Sequence, residues 1–392
     1  MATRTWVGGA SKVVQVQTLT ISSNTDTETF IVTAYHPSGS DAANGVQIVS
    51  DTASSDSTTT IADEIVRQWN LSTHPYANFV TASNVANVVT FTSDKAGVPF
   101  VIAKSGTGTH SLATTTANCG PWSFIAQNFA EGILPVVNDD VVITGNYDLL
   151  YELDQDGYEI DNLSIHNHTG RIGWPGMPLR VDIENTGVGV GKFIVDCPSG
   201  GPRYVYLGTS AISPVIINAG YINPIGLYLS TDTTSGAIVN TYIHAGNVGL
   251  AWNEGDEYTM TGTLNLLTPN VRVYMGPGCD LATYIQENGG WAHCMSDAAL
   301  LKISLAGGGN FIEQIAGTIS TYNNDGTQSL HIGTGAISAG TLLRGYSDFT
   351  QAIADRSVTL SYRDGTADFA TIITTGTRTL LGKPGAGTGD GV

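Results

Sequence analysis

Basic residues are scarce in this chain of 392: 16 Lys and Arg stand against 34 Asp and Glu, leaving a formal net charge of −18. A surface so short of cations cannot neutralise a phosphate backbone, so nucleic acid is not expected as a partner. Charge of either sign is low, at 13% of residues. The polar surface must therefore be built mainly from Thr, Ser and Asn, which suits a β-rich protein and argues against a helical enzyme or a disordered chain. No apolar run approaches the ~18 residues that a membrane-spanning helix needs. The stretch Met1–Gly9 carries no apolar segment of the kind found in secretory signals. Cysteine is limited to Cys119, Cys197, Cys279 and Cys294, with no Cys-x-x-Cys pair. A tetrahedral zinc site is not expected, and thiols in a reducing cytoplasm are, with a Cys279–Cys294 bridge left open. There is no Gly-x-Ser-x-Gly, no Ser-His-Asp arrangement and no Walker loop. Gly187–Lys192 comes nearest to a phosphate loop and reads as a β-turn region.

Helical periodicity is also nearly absent. One stretch has it: Ile61, Ile65, Val66 and Trp69 recur on one face after the cap hydroxyls of Ser57–Thr60, with Asp63 and Glu64 expected in the first turn. Strands are expected around it, near residues 14–21, 29–35, 45–49, 79–82, 87–92 and 97–102. Residues 13–118 thus read as a small α+β domain with a helix on one sheet face. Residues 103–120, rich in Thr, Gly and Ser, read as its linker. Before it, residues 1–12 form an arm. Trp6, set beside Gly8 and Gly9, either docks on a neighbour or plugs its own domain's edge.

What the chain has in abundance is glycine, 47 residues of it, and short apolar pulses that it separates. Asp140–Ile143, Leu163–Ile165, Leu179–Ile183, Phe193–Val195, Val215–Ile217, Leu227–Leu229, Val271–Tyr274, Ile303–Leu305 and Val358–Tyr362 are such pulses. Strands this short cannot bury a face alone, so they must stack or pair. The expected fold is mainly β: the α+β domain, then a parallel, right-handed β-helix over residues 146–381, and a Gly-rich tail at 382–392.

Two stretches carry family resemblances. Trp69-Asn70, Ala82, Val89-Thr90-Phe91-Thr92 and Ala96-Gly97-Val98-Pro99-Phe100 resemble a small domain recurrent in phage and prophage virion proteins. Trp122, Asn128-Phe129, Gly132, Pro135, Asp139-Asp140-Val141-Val142-Ile143 and then Leu163-Ser164-Ile165 resemble the opening of β-solenoid adhesins and phage surface proteins. Residues 119–145 are expected to cap the solenoid, with Trp122, Phe129 and Pro135 covering its first rung.

Three clusters invite chemistry. The run Asp154–Asp161 alternates carboxylates but breaks calcium-loop spacing, so it reads as a solvated turn. His166-Asn167-His168 is a single His-x-His, read as a rung edge with no metal. Glu254-Gly255-Asp256-Glu257-Tyr258 beside Trp252 has the composition of a glycosidase acid pair, without a placed partner. Among the aromatics from Tyr204 to Trp291, the ones pointing outward (Trp252, Tyr258 and Trp291 are candidates) are able to stack on sugars.

The resemblances imply a non-enzymatic structural protein of a tailed-phage virion, assembled in the host cytoplasm, trimeric by analogy and without cofactor. Two places fit. As a head decoration protein, the reading favoured by the bare tail, it would grip the major capsid protein through Trp6, Gly8, Gly9 and Trp69. As a tail fibre or spike it would join tail or baseplate proteins and bind host glycan.

Overall fold

The computed structural model describes residues 2–38, 45–54, 56–183, 191–208, 212–220, 225–231, 238–253, 255–268, 270–286 and 290–294, and the backbone of short strands between Ile303 and Thr379. Its side chains are described up to Leu281, apart from residues 156–158, and at Ala292. The chain is mainly β, with 54% of residues in strands and 7% in helix. It divides into two compact units: one of Trp6–Leu134 with Tyr147–Asp154, the other of the chain up to Thr5, Pro135–Asn146 and Gln155 onward.

The first unit holds a four-stranded antiparallel sheet and a three-stranded one. The larger is ordered Val80–Val85, Val88–Ser93, Val16–Ile21, His110–Thr116, and the smaller Val46–Thr52, Thr29–Tyr35, Val101–Ser105. His110–Thr116 lies in the stretch expected to be a linker. Its Thr-rich, mostly exposed residues gave no apolar alternation, yet its backbone pairs along the whole of Val16–Ile21. The helix spans Thr58–Leu71 and is capped by Ser57, whose hydroxyl accepts from the Thr60 amide at 3.1 Å. Because it starts at Thr58, Asp63 and Glu64 fall in its second turn, and Glu64 instead pairs with Arg67. Ile61, Ala62, Ile65 and Trp69 form its buried face, packing into a core with Phe30, Val32, Leu19, Ile21 and Phe91. Trp69 donates its indole N–H to the Val80 carbonyl at 2.8 Å and meets Phe91 edge-on at 4.8 Å.

The second unit is a parallel β-solenoid of about five turns. Each turn contributes a strand to each of two parallel sheets, so a strand pairs with the next but one in sequence. The register makes columns. On one sheet Val141, Leu163, Phe193, Val215, Thr241 and Leu264 stand in line. On the other, Leu179, Val205, Leu229, Leu250 and Met275 do. All of these are interior positions, exposed by 2% or less. Alternation along each strand sends every second residue inward, and each large apolar side chain so buried contributes about 1.5–3 kcal/mol. The pulses were therefore legible because they are the interior halves of rungs.

One long strand, Ile238–Leu250, belongs to both sheets and turns the corner between them. The bend is at Gly246, with φ +104°, where a Cβ would run into the Gly220 backbone of the preceding turn. Only glycine fits that approach. The short strands from Ile303–Leu305 to Leu360–Tyr362 keep the same parallel pairing. The tail at 382–392 lies outside the described residues.

The N-terminal strand Thr3–Trp6 is hydrogen-bonded beside Asp140–Gly145 and Asp154–Ile160. Within the solenoid unit, Asp139 is its anchor. That carboxylate accepts from the Ala2 amide at 3.0 Å and from the Arg4 guanidinium at 2.7 Å. Burial alone would raise its pKa, but Arg4 and the Ala2 and Val136 amides hold it below the usual carboxylate range. The expected arm is thus a strand of the fold.

Candidate functional site

The residues expected to dock are inside the first unit. Trp6 is fully buried; its indole donates to the Ser123 carbonyl at 3.0 Å and its backbone bridges to Phe129. Trp69 is 1% exposed. Gly8, with φ +69°, leaves room for the Tyr147 side chain and the Pro121 carbonyl, and Gly9, with φ +90°, faces the same ring. Of the two outcomes open to Trp6, it plugs its own domain, and Trp69 serves as a core residue.

The segment expected to cap the solenoid is divided. Phe129, 3% exposed, meets Phe124 edge-on at 5.0 Å, and Lys12 lies over the Trp122 ring at 4.4 Å, all within the first unit. Pro135 is buried at the start of the solenoid segment Pro135–Asn146. Asn128 organises this region. Its side chain donates to the Gly120 and Ser123 carbonyls and accepts from the Ala10 amide, while its carbonyl takes the Val7 and Gly8 amides. The motif Trp122…Asn128-Phe129 therefore clamps residues 6–12.

The chemistry-bearing clusters come apart in the same way. Asp154–Ile160 is a strand, where a solvated turn was expected. Asp161, 2% exposed, has its carboxyl pushed up by burial and by Asp140. His166 is exposed and 3.3 Å from Asp196, whereas His168 is fully buried; Asn167 between them has φ +50°, and the strand is bulged there. The two imidazoles are thereby separated, and no group of His, Cys, Asp and Glu among the described residues is placed to hold a metal. Cys119 and Cys197 are free thiols. Tyr258 is fully buried, its hydroxyl 2.7 Å from that of Thr241, which closes it to any surface glycan. Burial pushes its phenol well above the usual range. Glu254 and the Trp291 side chain lie outside the described residues, and the backbone of Trp291 is in register with Arg272 and Phe311.

One outward face of the solenoid does form a site. It is a groove of about 290 Å³ on the second sheet, bounded on one side by the loop bearing Trp174, Gly176 and Pro178 and on the other by Asn253, Gly255, Asp256 and Glu257. Its floor is two register columns: Arg180, Tyr206 and Ser230, and beside them Tyr204 and Tyr228. In-register rungs place identical outward positions ~4.8 Å apart, so side chains in one column stack. Tyr204 and Tyr228 do so at 4.4 Å between centroids and 13° between planes. Their hydroxyls are hydrogen-bonded, and burial with the neighbouring tyrosine pushes the Tyr228 phenol up to about 12. The column continues through Gly249 to Tyr274. At Gly249 the place of a ring is empty and Trp252 closes in, meeting Tyr274 edge-on at 5.4 Å. Trp252 is the one expected glycan contact that stands in this aromatic strip.

The groove's charges are few and held. The Arg180 guanidinium lies 4.4 Å over the Tyr206 ring. Asp256 accepts from the Asn253 side chain at 2.7 Å, which fastens the wall loop. The Thr231 amide donates to the Glu257 carbonyl at 2.6 Å, tying that wall to the floor. Polar, aromatic-floored and open to solvent, such a groove can hold a flat polyhydroxylated ligand by stacking and by hydrogen bonds to hydroxyls. A glycosidase would need two carboxylates facing each other across the scissile bond, and here one of the two adjacent acids is committed to its turn.

No family model fits the chain, no curated protein matches its sequence, and no solved structure matches its fold. Among the described residues no helix is long and apolar enough to cross a membrane.

Proposed function

We propose that this chain is a structural protein of a tailed-phage virion and that its solenoid holds host-surface saccharide without cleaving it, as a tail fibre or spike does. The two motif resemblances support the virion assignment. The observation that carries the saccharide reading is the groove floored by the stacked Tyr204–Tyr228 pair and walled by Trp174 on one side and Asn253, Asp256 and Glu257 on the other. The head-decoration reading placed its grip on Trp6, Gly8, Gly9 and Trp69; Trp6 and Trp69 are buried within their own unit and lend that reading no docking surface.

The test is binding of the full chain to purified surface polysaccharides from candidate hosts, with the polysaccharide sized before and after. Reversible binding at unchanged polymer length is expected. Tyr228→Ala should weaken it about three- to tenfold through the lost stacking surface. Shortened polymer would replace the binding protein with an enzyme. Antibody-labelled electron microscopy of virions separates the locations: label at the tail supports the proposal, and label spread over the head restores decoration.

A further inference from the structure

We infer that the saccharide taken by this groove is acidic, and that Arg180 is the residue that reads its carboxylate. The inference rests on the saccharide reading above and adds the chemical class of the ligand. Arg180 stands on the strand Leu179–Ile183, outward and half-buried, and its planar face is covered by Tyr206 at 4.4 Å. Stacking of that kind uses the π face of a guanidinium and leaves its N–H donors along the edge, in the fork that matches a carboxylate. Among the described residues no carboxylate pairs with it. A second arginine is at the same end: Arg171 lies 5.3 Å over the ring of Trp174, which lines the groove. In a chain with only 16 basic residues in 392, two arginines laid on aromatics at one end of one groove are a local concentration of cation.

The acids in the groove do not cancel it. Arg180 is in register with Tyr206, and Tyr206 with Ser230, so Ser230 is two rungs from Arg180, ~10 Å along the sheet. Glu257 is tied to Thr231, next to Ser230, at that far end. The separation is about one Debye length at physiological ionic strength. A ligand anion on Arg180 would gain a charge-assisted, bidentate contact, while Glu257, which lines the far end, is an acceptor for hydroxyls of the same saccharide. The groove is polarised along the solenoid, cationic at the Trp174 end and acidic at the Asn253 end. That arrangement suits a chain of sugars bearing a carboxylate.

The probes are bacterial capsular polysaccharides of known repeat, acidic and neutral, each acidic one paired with its carboxyl-reduced counterpart, measured against the full chain by biolayer interferometry. Acidic polysaccharides should bind, and carboxyl reduction should weaken them about 10- to 100-fold, the range of a hydrogen-bonded charge contact. Arg180→Gln should cost the same factor on the acidic polymer and less than about twofold on its reduced counterpart. Arg180→Lys should recover part of the loss, because charge returns without the fork. Unchanged melting temperatures in both variants show that the solenoid is intact. Equal binding of acidic and reduced polymers, or an Arg180→Gln variant that binds like wild type, overturns the inference and leaves the saccharide reading standing. No binding by any polymer on the panel overturns both.

Discussion

Replacing Trp6 by alanine separates a strand that belongs to the fold from an arm that reaches for a neighbour. Trp6 is fully buried and makes its indole hydrogen bond to the Ser123 carbonyl. A buried aromatic removes about 150–250 Å² from water, worth roughly 4–6 kcal/mol at about 25 cal/mol per Å². Measured losses for buried Trp or Phe to Ala run about 3–5 kcal/mol. For a unit of this size each kcal/mol moves the midpoint by roughly 3–5 °C, so the first unit of Trp6→Ala should melt about 10–20 °C early. Trp6→Phe is the informative companion. It removes the N–H donor, yet the Ser123 carbonyl still accepts from the Asn128 side chain at 2.8 Å, so no buried acceptor is orphaned. Its cost should stay near 1–2 kcal/mol. Differential scanning calorimetry of the full chain resolves both. A Trp6→Ala protein melting within about 2 °C of wild type would refute the packing argument and return Trp6 to the surface as a docking anchor.

Two further perturbations test the solenoid. The Tyr228 phenol titrates at about 12, above an unfolded value near 10, so the folded state keeps a proton that the unfolded state loses between these values. That stability is complete below pH 10 and is lost as pH rises through 12. Allowing for partial exposure it amounts to roughly 1–2 kcal/mol, and Tyr228→Phe should remove this part of the alkaline fall in melting temperature. Phenolate absorbance should show one fewer high-titrating tyrosine in the variant, which keeps the buried Tyr258. Arg203 is fully buried and bonds the His168 and Ser199 carbonyls through one nitrogen, while its other two find no partner among the described residues. An unpaired cation in the interior costs several kcal/mol, so Arg203→Met should leave the melting temperature unchanged or raise stability by up to ~2 kcal/mol. A clear drop would mean that something compensates the charge.

The division between what was legible and what was not follows from which forces leave a trace in composition. Most interior positions are apolar, so Val141, Leu163, Phe193, Val215 and Leu229 announced the rungs. The helix was legible through the period of Ile61, Ile65 and Trp69 and the hydroxyl at Ser57. His110–Thr116 was not, because an edge strand needs only backbone donors and acceptors, which every residue has. The fates of Trp6 and Tyr258 were not legible either. Whether an aromatic lies inside or outside depends on strand parity, and one bulge inverts it, as it does between Ile165 and His168. Asn128 looked like a motif letter because its partners Val7, Gly8 and Ala10 come from a chain segment that only the fold brings to it.

The groove left one trace that could have been read. The first-sheet column falls at Val141, Leu163, Phe193, Val215, Thr241 and Leu264, and the step from 163 to 193 is the longest in the series. A rung of fixed circumference cannot absorb extra residues in its strands, so surplus must leave as loop. Part of the surplus in that step is the loop carrying Trp174, Gly176 and Pro178, which is one wall of the groove. In a solenoid the strands conserve the cross-section and the loops are free to build. The place where the repeat lengthens, next to outward columns of Tyr and Arg, is therefore where a binding face costs the fold least and where substitutions should change ligand before they change stability.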